Sequence, residues 1–519
     1  MSSPASQSRL NNLHWLSVTF FVLLVPLLLI RLPEAPFSWY DEGLNLNAAQ
    51  TLADEGVYGL TTGDGIRYAD PAIQTGPPLI ALISVITKLF GDSLFAVRLS
   101  IVIIGIIALA SLYALAYRLY GRFAALLAVV FIVVLPPLDT TSTFIMLTRQ
   151  FLGEVPAVLC ISLGFHILLT AENRWQRWGV VGLCWGIAII LKSQVLVVLS
   201  VSVGLWTVYR LLSRKEDGLY WLLLAASMVI LYGCDTLWRT QMAGAAVESN
   251  LAILREGIRI HILPFRIYRN LRDDGVLLRL GISMLALGGL WAARHRVPRI
   301  PIIASPTTAK FRAENFMSFF VILWMIWYSA ISIGWTRYAF VGLIFTLVIL
   351  AGVVTAVLKH YRFSLGTPTR ALLVGVALVA AYGFNLGVLT KTQGDNFFQM
   401  VSDLKTHISP TARIVSMEWA MDNFVPQQFV YPTTHTINVI TENAFIRRNR
   451  NYGFNSLTAC PEYILLGSLT LDRTLMRSAL ELAEPDAVYE HGIYQLYTVN
   501  PLLLPASCRA KTSASAAES

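Results

Sequence analysis

Two adjacent carboxylates, Asp41 and Glu42, follow Trp39-Tyr40 and precede Gly43, shortly after the first long apolar stretch of the chain. Ionised side chains beside lipid lose hydration, so such a pair is costly unless it works. A carboxylate there suits a general base, or a group that holds an acceptor hydroxyl or amine. Asp41 also suits an N-cap for a helix over Leu44–Leu52, and the two readings are compatible. A third acid, Glu154, heads another apolar stretch in Arg149-Gln150-Phe151-Leu152-Gly153-Glu154. An acid in that position is paired, wet or functional, and Arg149 offers it a local partner. Cations fall in short breaks between apolar segments, in Lys192-Ser193-Gln194 and Trp335-Thr336-Arg337-Tyr338. Lys192 also reads as a snorkelling lysine and Arg337-Tyr338 as an interfacial anchor. Equally, a guanidinium beside a Tyr suits a phosphate oxygen. Gln74-Thr75-Gly76-Pro77-Pro78-Leu79 reads first as a stiff turn into a helix, because proline restricts φ. The chain carries no Walker A sequence, Gly-rich nucleotide fingerprint, His-x-x-x-His pair or Cys-x-x-Cys. His166, Cys160, Cys184 and Cys234 fall in apolar segments and read as core residues.

The elements that must position these groups follow from composition. Of 519 residues, 55% are hydrophobic and only 14% charged, with a net charge of +9. Soluble domains hold about a quarter charged residues, so a soluble, disordered or fibrous protein is excluded and a bilayer is the required solvent. At about 20 apolar residues per crossing, about eleven spans are expected: 14–30, 95–117, 121–138, 150–171, 178–194, 195–212, 218–234, 276–293, 316–333, 338–357 and 371–389. Leu79–Phe90 is short, follows Pro77-Pro78 and carries Lys88, and is expected to lie flat at the interface. With that assignment the clusters around Arg118/Arg122, Arg174/Arg177, Arg210/Arg214/Lys215, Arg294–Arg312 and Lys359/Arg362/Arg370 all fall inside, as the positive-inside rule requires. The N-terminus is then cytoplasmic and the chain beyond Lys391 extracytoplasmic. A long outer loop, 235–274, departs from the rule with six arginines, but long loops translocate with less regard to charge.

The expected fold is an all-α polytopic membrane protein with a C-terminal extracytoplasmic α/β domain. Residues 1–390 form the membrane part, with 31–94 as a first outer loop bearing interfacial helices. Residues 391–505 form the soluble domain, with strand-sized runs at Ala412–Met417, Tyr463–Gly467 and Tyr494–Val499. Residues 506–519 form a loose Ala/Ser-rich tail. Cys460 and Cys508 both fall on the outer side, where a disulfide is permitted, and a bridge between them is expected.

With this topology every candidate group faces one side: acids Asp41, Glu42 and Glu154, and bases Lys192, Arg337 and the arginines of 235–274. Such a rim fits a lipid-linked phosphate, with cations holding the phosphate and a carboxylate deprotonating an acceptor. The order of motifs also carries a resemblance. Tyr40-Asp41-Glu42-Gly43, then Gly76-Pro77-Pro78-Leu79 leading to Lys88-Leu89-Phe90-Gly91, Val97-Arg98-Leu99 and Tyr117-Arg118-Leu119-Tyr120-Gly121 resemble the N-terminal half of GT-C glycosyltransferases. The nearest group is the protein mannosyltransferase-like family that includes the bacterial aminoarabinose transferases of lipid A. The likeness covers about 1–390 in organisation and is motif-specific to about residue 195.

The resemblance implies transfer of a sugar from a polyprenyl-phosphate carrier to an envelope glycolipid, polysaccharide or protein, on the outer face of a bacterial plasma membrane, with inversion. It makes Asp41 the base, Glu42 its partner and Glu154 the second acid, with Tyr40, Arg149, Lys192, Arg337 and Tyr338 on the substrate. Family members often carry Lys just before Pro-Pro, where this chain has Thr75-Gly76, so that phosphate contact is missing or supplied elsewhere. No nucleic acid or nucleotide is implied. No metal is required, although a divalent ion near the acids is compatible with the donor set. The rival class is a multi-span lipid or sugar transporter or flippase. That class calls for ionisable residues near mid-span and matched halves, whereas the suspect residues here cluster at one face.

Overall fold

A computed structural model describes residues 4–36, 38, 40–134 except 64 and 74, 143–244 except 172–173, 263–296, 309–361 except 333–334, 367–390, 393–431 except 417, 460–467, 483–504 and 508. Trp39, Gln74, Arg255 and Arg259 and most of the Ala/Ser-rich tail lie outside the described residues.

Each expected span coincides with a helix. In chain order these are α1 (Pro4–Leu29), α4 (Leu94–Tyr120), α5 (Arg122–Val134), α7 (Glu154–Leu168), α8 (Trp175–Leu191), α9 (Ser193–Leu212), α10 (Gly218–Ala243), α12 (Asp274–Arg296), α13 (Ala309–Ala330), α14 (Thr336–His360) and α15 (Thr367–Leu389). Five of these are long and apolar enough to cross a membrane on those criteria alone, and several others are shorter apolar helices. The chain is a multi-pass membrane protein. α14 is buried on nearly all sides and forms the centre of the bundle. The longest of the helices, α4, is capped at both ends: Ser93 Oγ accepts from the Ala96 N–H at its start, and Gly121 stops it at φ 92°.

Between α1 and α4 lie α2 (Tyr40–Asp54), a hairpin of β1 (Gly59–Thr62) and β2 (Gly65–Tyr68), and α3 (Pro77–Phe90). The sequence reading anticipated the helices and missed the hairpin, whose four-residue strands are too short to show a period-2 pattern. Two other expectations are corrected. The span placed at 150–171 starts only at Glu154, after a short helix α6 (Phe144–Thr148). The loop placed at 235–274 begins as helix, because α10 continues to Ala243, and it also contains α11 (Leu263–Asn270). Asp235 and Arg239 pair at 2.8 Å one turn apart, which lets a polar turn extend the helix.

After α15, α16 (Gln393–His407) leads into a five-stranded sheet of β3 (Arg413–Ser416), β4 (Gln428–Val430), β5 (Tyr463–Leu466), β6 (Ala483–His491) and β7 (Tyr494–Val499). The order is β4-β3-β5-β7-β6, with β3 parallel to β4 and β5 and the remaining pairs antiparallel. Cys460 and Cys508 are joined, with Cα atoms 5.1 Å apart. The sheet is docked on the first loop. Gly63 N–H donates to the Phe429 carbonyl at 2.7 Å and Arg67 to that of Tyr431 at 2.8 Å. Gly43 of α2 lies so close to Trp419 and Ala420 that a Cβ there would stand 2.1 Å from the Ala420 nitrogen.

Candidate active site

Chain direction alone gathers the candidate groups. The C-terminal ends of α1 and α8 and the N-terminal ends of α4, α7, α9 and α14 all lie at one end of the bundle, where α2 is also found. Opposite this, at the far ends of α9 and α13, Arg210 and Arg312 converge on Asp217.

The turn after α1 must find partners for the last helical carbonyls, which have none within the helix. Two buried arginines supply them. Arg149 donates to the carbonyls of Leu27, Ile30 and Ala35, and Arg98 to those of Leu32 and Pro33. The turn so formed delivers α2 with Asp41 and Glu42 in its first turn, where the helix dipole favours anions. Arg149 was expected on the substrate, but its guanidinium is instead committed to these carbonyls. Glu42 was expected beside Asp41 in the chemistry. Its carboxylate is instead gripped by Arg98 in a fork of 2.9 and 2.6 Å, with both side chains 0% exposed. Glu42 also accepts the Phe151 N–H at 3.0 Å, and Asn45 donates to the Phe151 carbonyl at 2.7 Å. Successive helix residues point around the axis, so with Glu42 turned toward α4, Asp41 is turned elsewhere.

Asp41 faces α14, where it pairs with the Arg337 guanidinium. Arg337 is stacked between Trp335 and Tyr338, 4.9 and 5.5 Å from their ring centres, which holds the planar cation in place. Glu154 pairs with Lys192 at 3.0 Å, and both are buried. Asp41 and Lys192 line the same small cavity with Asn45, Ala72 and Thr75. The charge of Glu154 acts on Arg337 as well. The two ion pairs therefore form one connected group.

Lys192 borders this cavity, where the break between α8 and α9 is extended, and it bridges Thr75 as an antiparallel partner. The approach needs two glycines. A Cβ on Gly76 would meet the Ile190 oxygen at 2.0 Å, and one on Gly153 the Leu191 oxygen at 2.3 Å. The Thr75-Gly76-Pro77-Pro78 turn thus seats Lys192. Tyr40 sits on the other flank of Asp41, near Asp70, Arg67 and Trp419. Burial, reinforced by Asp41 and Asp70, pushes its hydroxyl pKa up, so it stays a protonated donor.

One residue that matters here has no role in the sequence reading: Arg98, quoted there only within Val97-Arg98-Leu99, is a lone cation at the start of an apolar helix, which demands a buried anion somewhere. Arg239, one of the outer arginines, is turned to Asp235 and the Tyr58 ring rather than to the acids. His166 is a core residue bonded to the Ser111 carbonyl at 2.8 Å. Among the described residues, no three His, Cys, Asp or Glu side chains gather as a metal site.

The comparisons fit this picture. Residues 75–238 match the family Dolichyl-phosphate-mannose-protein mannosyltransferase. The fold is similar to that of ArnT from Cupriavidus metallidurans in its apo state, with a TM-score of 0.60 over 94% of this chain and 99% of that one at 14% identity. It is also similar to ArnT bound to undecaprenyl phosphate, with a TM-score of 0.58 over 95% and 98% at 15% identity. The Archaeoglobus fulgidus oligosaccharyltransferase tethered to an acceptor peptide aligns with a TM-score of 0.53 over 94% and 74% at 12% identity. No curated protein sequence matches the chain. These likenesses show an integral-membrane protein of the GT-C fold.

Proposed function

We propose that the protein transfers a sugar from a polyprenyl-phosphate carrier to an envelope acceptor, on the extracytoplasmic face of a bacterial plasma membrane and with inversion at the sugar carbon. One observation carries this reading: two buried acid–base pairs, Asp41–Arg337 and Glu154–Lys192, share one end of the bundle beside a cavity. Two buried cations suit a phosphate better than they suit carboxylates alone, because each additional charge-assisted bond stabilises the leaving dianion. Lys192 lies opposite Thr75 and takes the place of the cation that related chains carry before Pro-Pro. As the carrier phosphate engages Lys192 and Arg337, Asp41 is released from its pair. Asp41 then accepts the acceptor's hydroxyl or amine proton as that atom bonds to the sugar carbon. The carbon–oxygen bond to the phosphate breaks, and its electrons stay on the phosphate. Tyr338 and Tyr40 flank the two ends of this path. Glu154 keeps Lys192 in place, and Glu42 acts as a positioning residue that locks α2 to α4 and to the Phe151 backbone.

The experiment is reconstitution. Purified protein in proteoliposomes, given labelled sugar on polyprenyl phosphate and an envelope extract, is expected to move label to an acid-stable acceptor. Carrier movement across the bilayer without label transfer would replace this reading with that of a flippase.

A further inference from the structure

The small cavity beside Asp41 holds a second acceptor that the proposed transfer leaves idle. Asn45 stands four residues beyond Asp41 on α2, so the two side chains lie on one face of that helix, about 6 Å apart along its axis. Both line the cavity, together with Lys192. Asn45 is 3% exposed. Its Nδ2 donates to the Phe151 carbonyl at 2.7 Å, while the Phe151 N–H is taken by Glu42. The bond to a carbonyl settles which end of the Asn45 amide is the nitrogen.

Asn45 Oδ1 is left over. It has no partner among the described residues and is not sealed from solvent, so it opens on the cavity that Asn45 lines. Asp41 is arranged alike: Oδ2 pairs with Arg337, and Oδ1 is neither partnered nor sealed. α2 therefore offers the cavity two open acceptors one turn apart. They differ in basicity. A carboxylate can take up a proton, whereas a neutral amide oxygen only accepts a hydrogen bond. An acceptor so nearly buried has little water to satisfy it and gains from a donor that a substrate brings. Each such bond is about 2.8 Å long, so a lone hydroxyl meets one of the two oxygens. Two hydroxyls on neighbouring carbons meet both.

We infer that Asn45 is a specificity-determining residue: its Oδ1 accepts a hydrogen bond from the hydroxyl next to the attacking one, and the acceptor is a carbohydrate diol rather than a lone alcohol or an amine. This deepens the transferase reading and rests on it. The attacking hydroxyl gives its proton to Asp41 Oδ1 as its oxygen bonds to the sugar carbon, and the carbon–oxygen bond to the phosphate breaks with its electrons on the phosphate. The second hydroxyl keeps its proton, because the amide cannot hold it. It fixes which oxygen is presented to the base.

The test measures initial rates of label transfer in proteoliposomes for the full chain carrying Asn45→Leu or Asn45→Asp, with envelope extract and carrier varied in turn. Asn45→Leu removes the acceptor atom and the Phe151 bond together. Asn45→Asp removes the amide donor and keeps an oxygen at the cavity. The extract concentration for half-maximal rate is expected to rise about three- to tenfold in Asn45→Leu, the worth of one hydrogen bond, and to stay near the wild-type value in Asn45→Asp. The carrier requirement should change in neither. Treating the extract with periodate and then borohydride splits neighbouring hydroxyls and leaves lone alcohols and amines, and should abolish wild-type transfer. Equal impairment of the two variants would reduce Asn45 to a clamp on Phe151 and overturn the inference. So would a matching rise in the carrier requirement, or undiminished transfer to the oxidised extract. If Asn45→Leu does not fold, the oxidised extract decides. Wild-type protein that moves no label to untreated extract would reject the transferase reading and this inference with it, whereas wild-type transfer with any of the contrary outcomes rejects this inference alone.

Discussion

Replacing Asp41 with Asn and, separately, Glu42 with Gln changes two neighbouring acids by the same chemistry and should give opposite outcomes. Asn at position 41 keeps the shape and still offers an oxygen to Arg337, which also feels the charge of Glu154. The fold should therefore be little affected. The base is lost, however, and general-base catalysis is worth about 10²–10⁴ in rate, or about 3–5 kcal/mol of barrier. Gln at position 42 leaves Arg98, which is 0% exposed, without its counter-charge. Removing one partner of a buried pair costs about 3–5 kcal/mol of stability. The assay is the initial rate of label transfer in proteoliposomes at saturating carrier, paired with the melting temperature of each variant. Asp41→Asn should melt near the wild type and transfer at no more than about a hundredth of its rate. Glu42→Gln should melt well below it, with transfer falling in proportion to folded protein. An Asp41→Asn protein that keeps more than a tenth of wild-type turnover would refute the assignment. A well-folded but inactive Glu42→Gln would move the base to position 42.

Arg337→Ala should raise the carrier concentration needed for half-maximal transfer more than Arg337→Lys, since charge is lost only in the first while the planar fork is lost in both; unaltered kinetics in both variants would remove Arg337 from the phosphate. Gly43→Ala should loosen the C-terminal sheet from α2, because its Cβ would lie 2.1 Å from the Ala420 backbone nitrogen, and limited proteolysis should then cut between α15 and β3 faster. Burial raises the Asp422 carboxyl from its usual 3.8 to about 7. The native state thus binds that proton more tightly than the unfolded chain does, and stability from this group, full below pH 3.8, is lost as pH rises toward about 7. Asp422→Asn should accordingly raise the melting temperature at pH 8 relative to wild type and leave it nearly unchanged at pH 4. Reducing the Cys460–Cys508 bridge, which closes a 48-residue separation, should lower the stability of the C-terminal domain by about 4 kcal/mol, measurable as an earlier melting step.

The spans, and the gathering of the candidate groups at one end of the bundle, were readable because both follow from local rules. A run of about 20 apolar residues has few alternatives to a transmembrane helix, and the breaks between runs state which groups share a face. Asp41, Glu154, Lys192 and Arg337 could be placed at one end of the bundle for that reason. Partner choice obeys no such rule. Arg149 and Glu154 are five residues apart and invite a local pair, yet Arg149 turns to the carbonyls after α1 and Glu154 to Lys192. Glu42 and Arg98 find each other across 56 residues, because each is too costly to bury alone. The short strands β1, β2 and β4 run for only three or four residues each, too few to show an alternating pattern, so their own residues carry little signal. The separation of two adjacent acids into a pocket-facing Asp41 and a locked Glu42 was likewise settled by packing. It needed α4 on one side of α2 and α14 on the other, an arrangement that exists only after the bundle has closed.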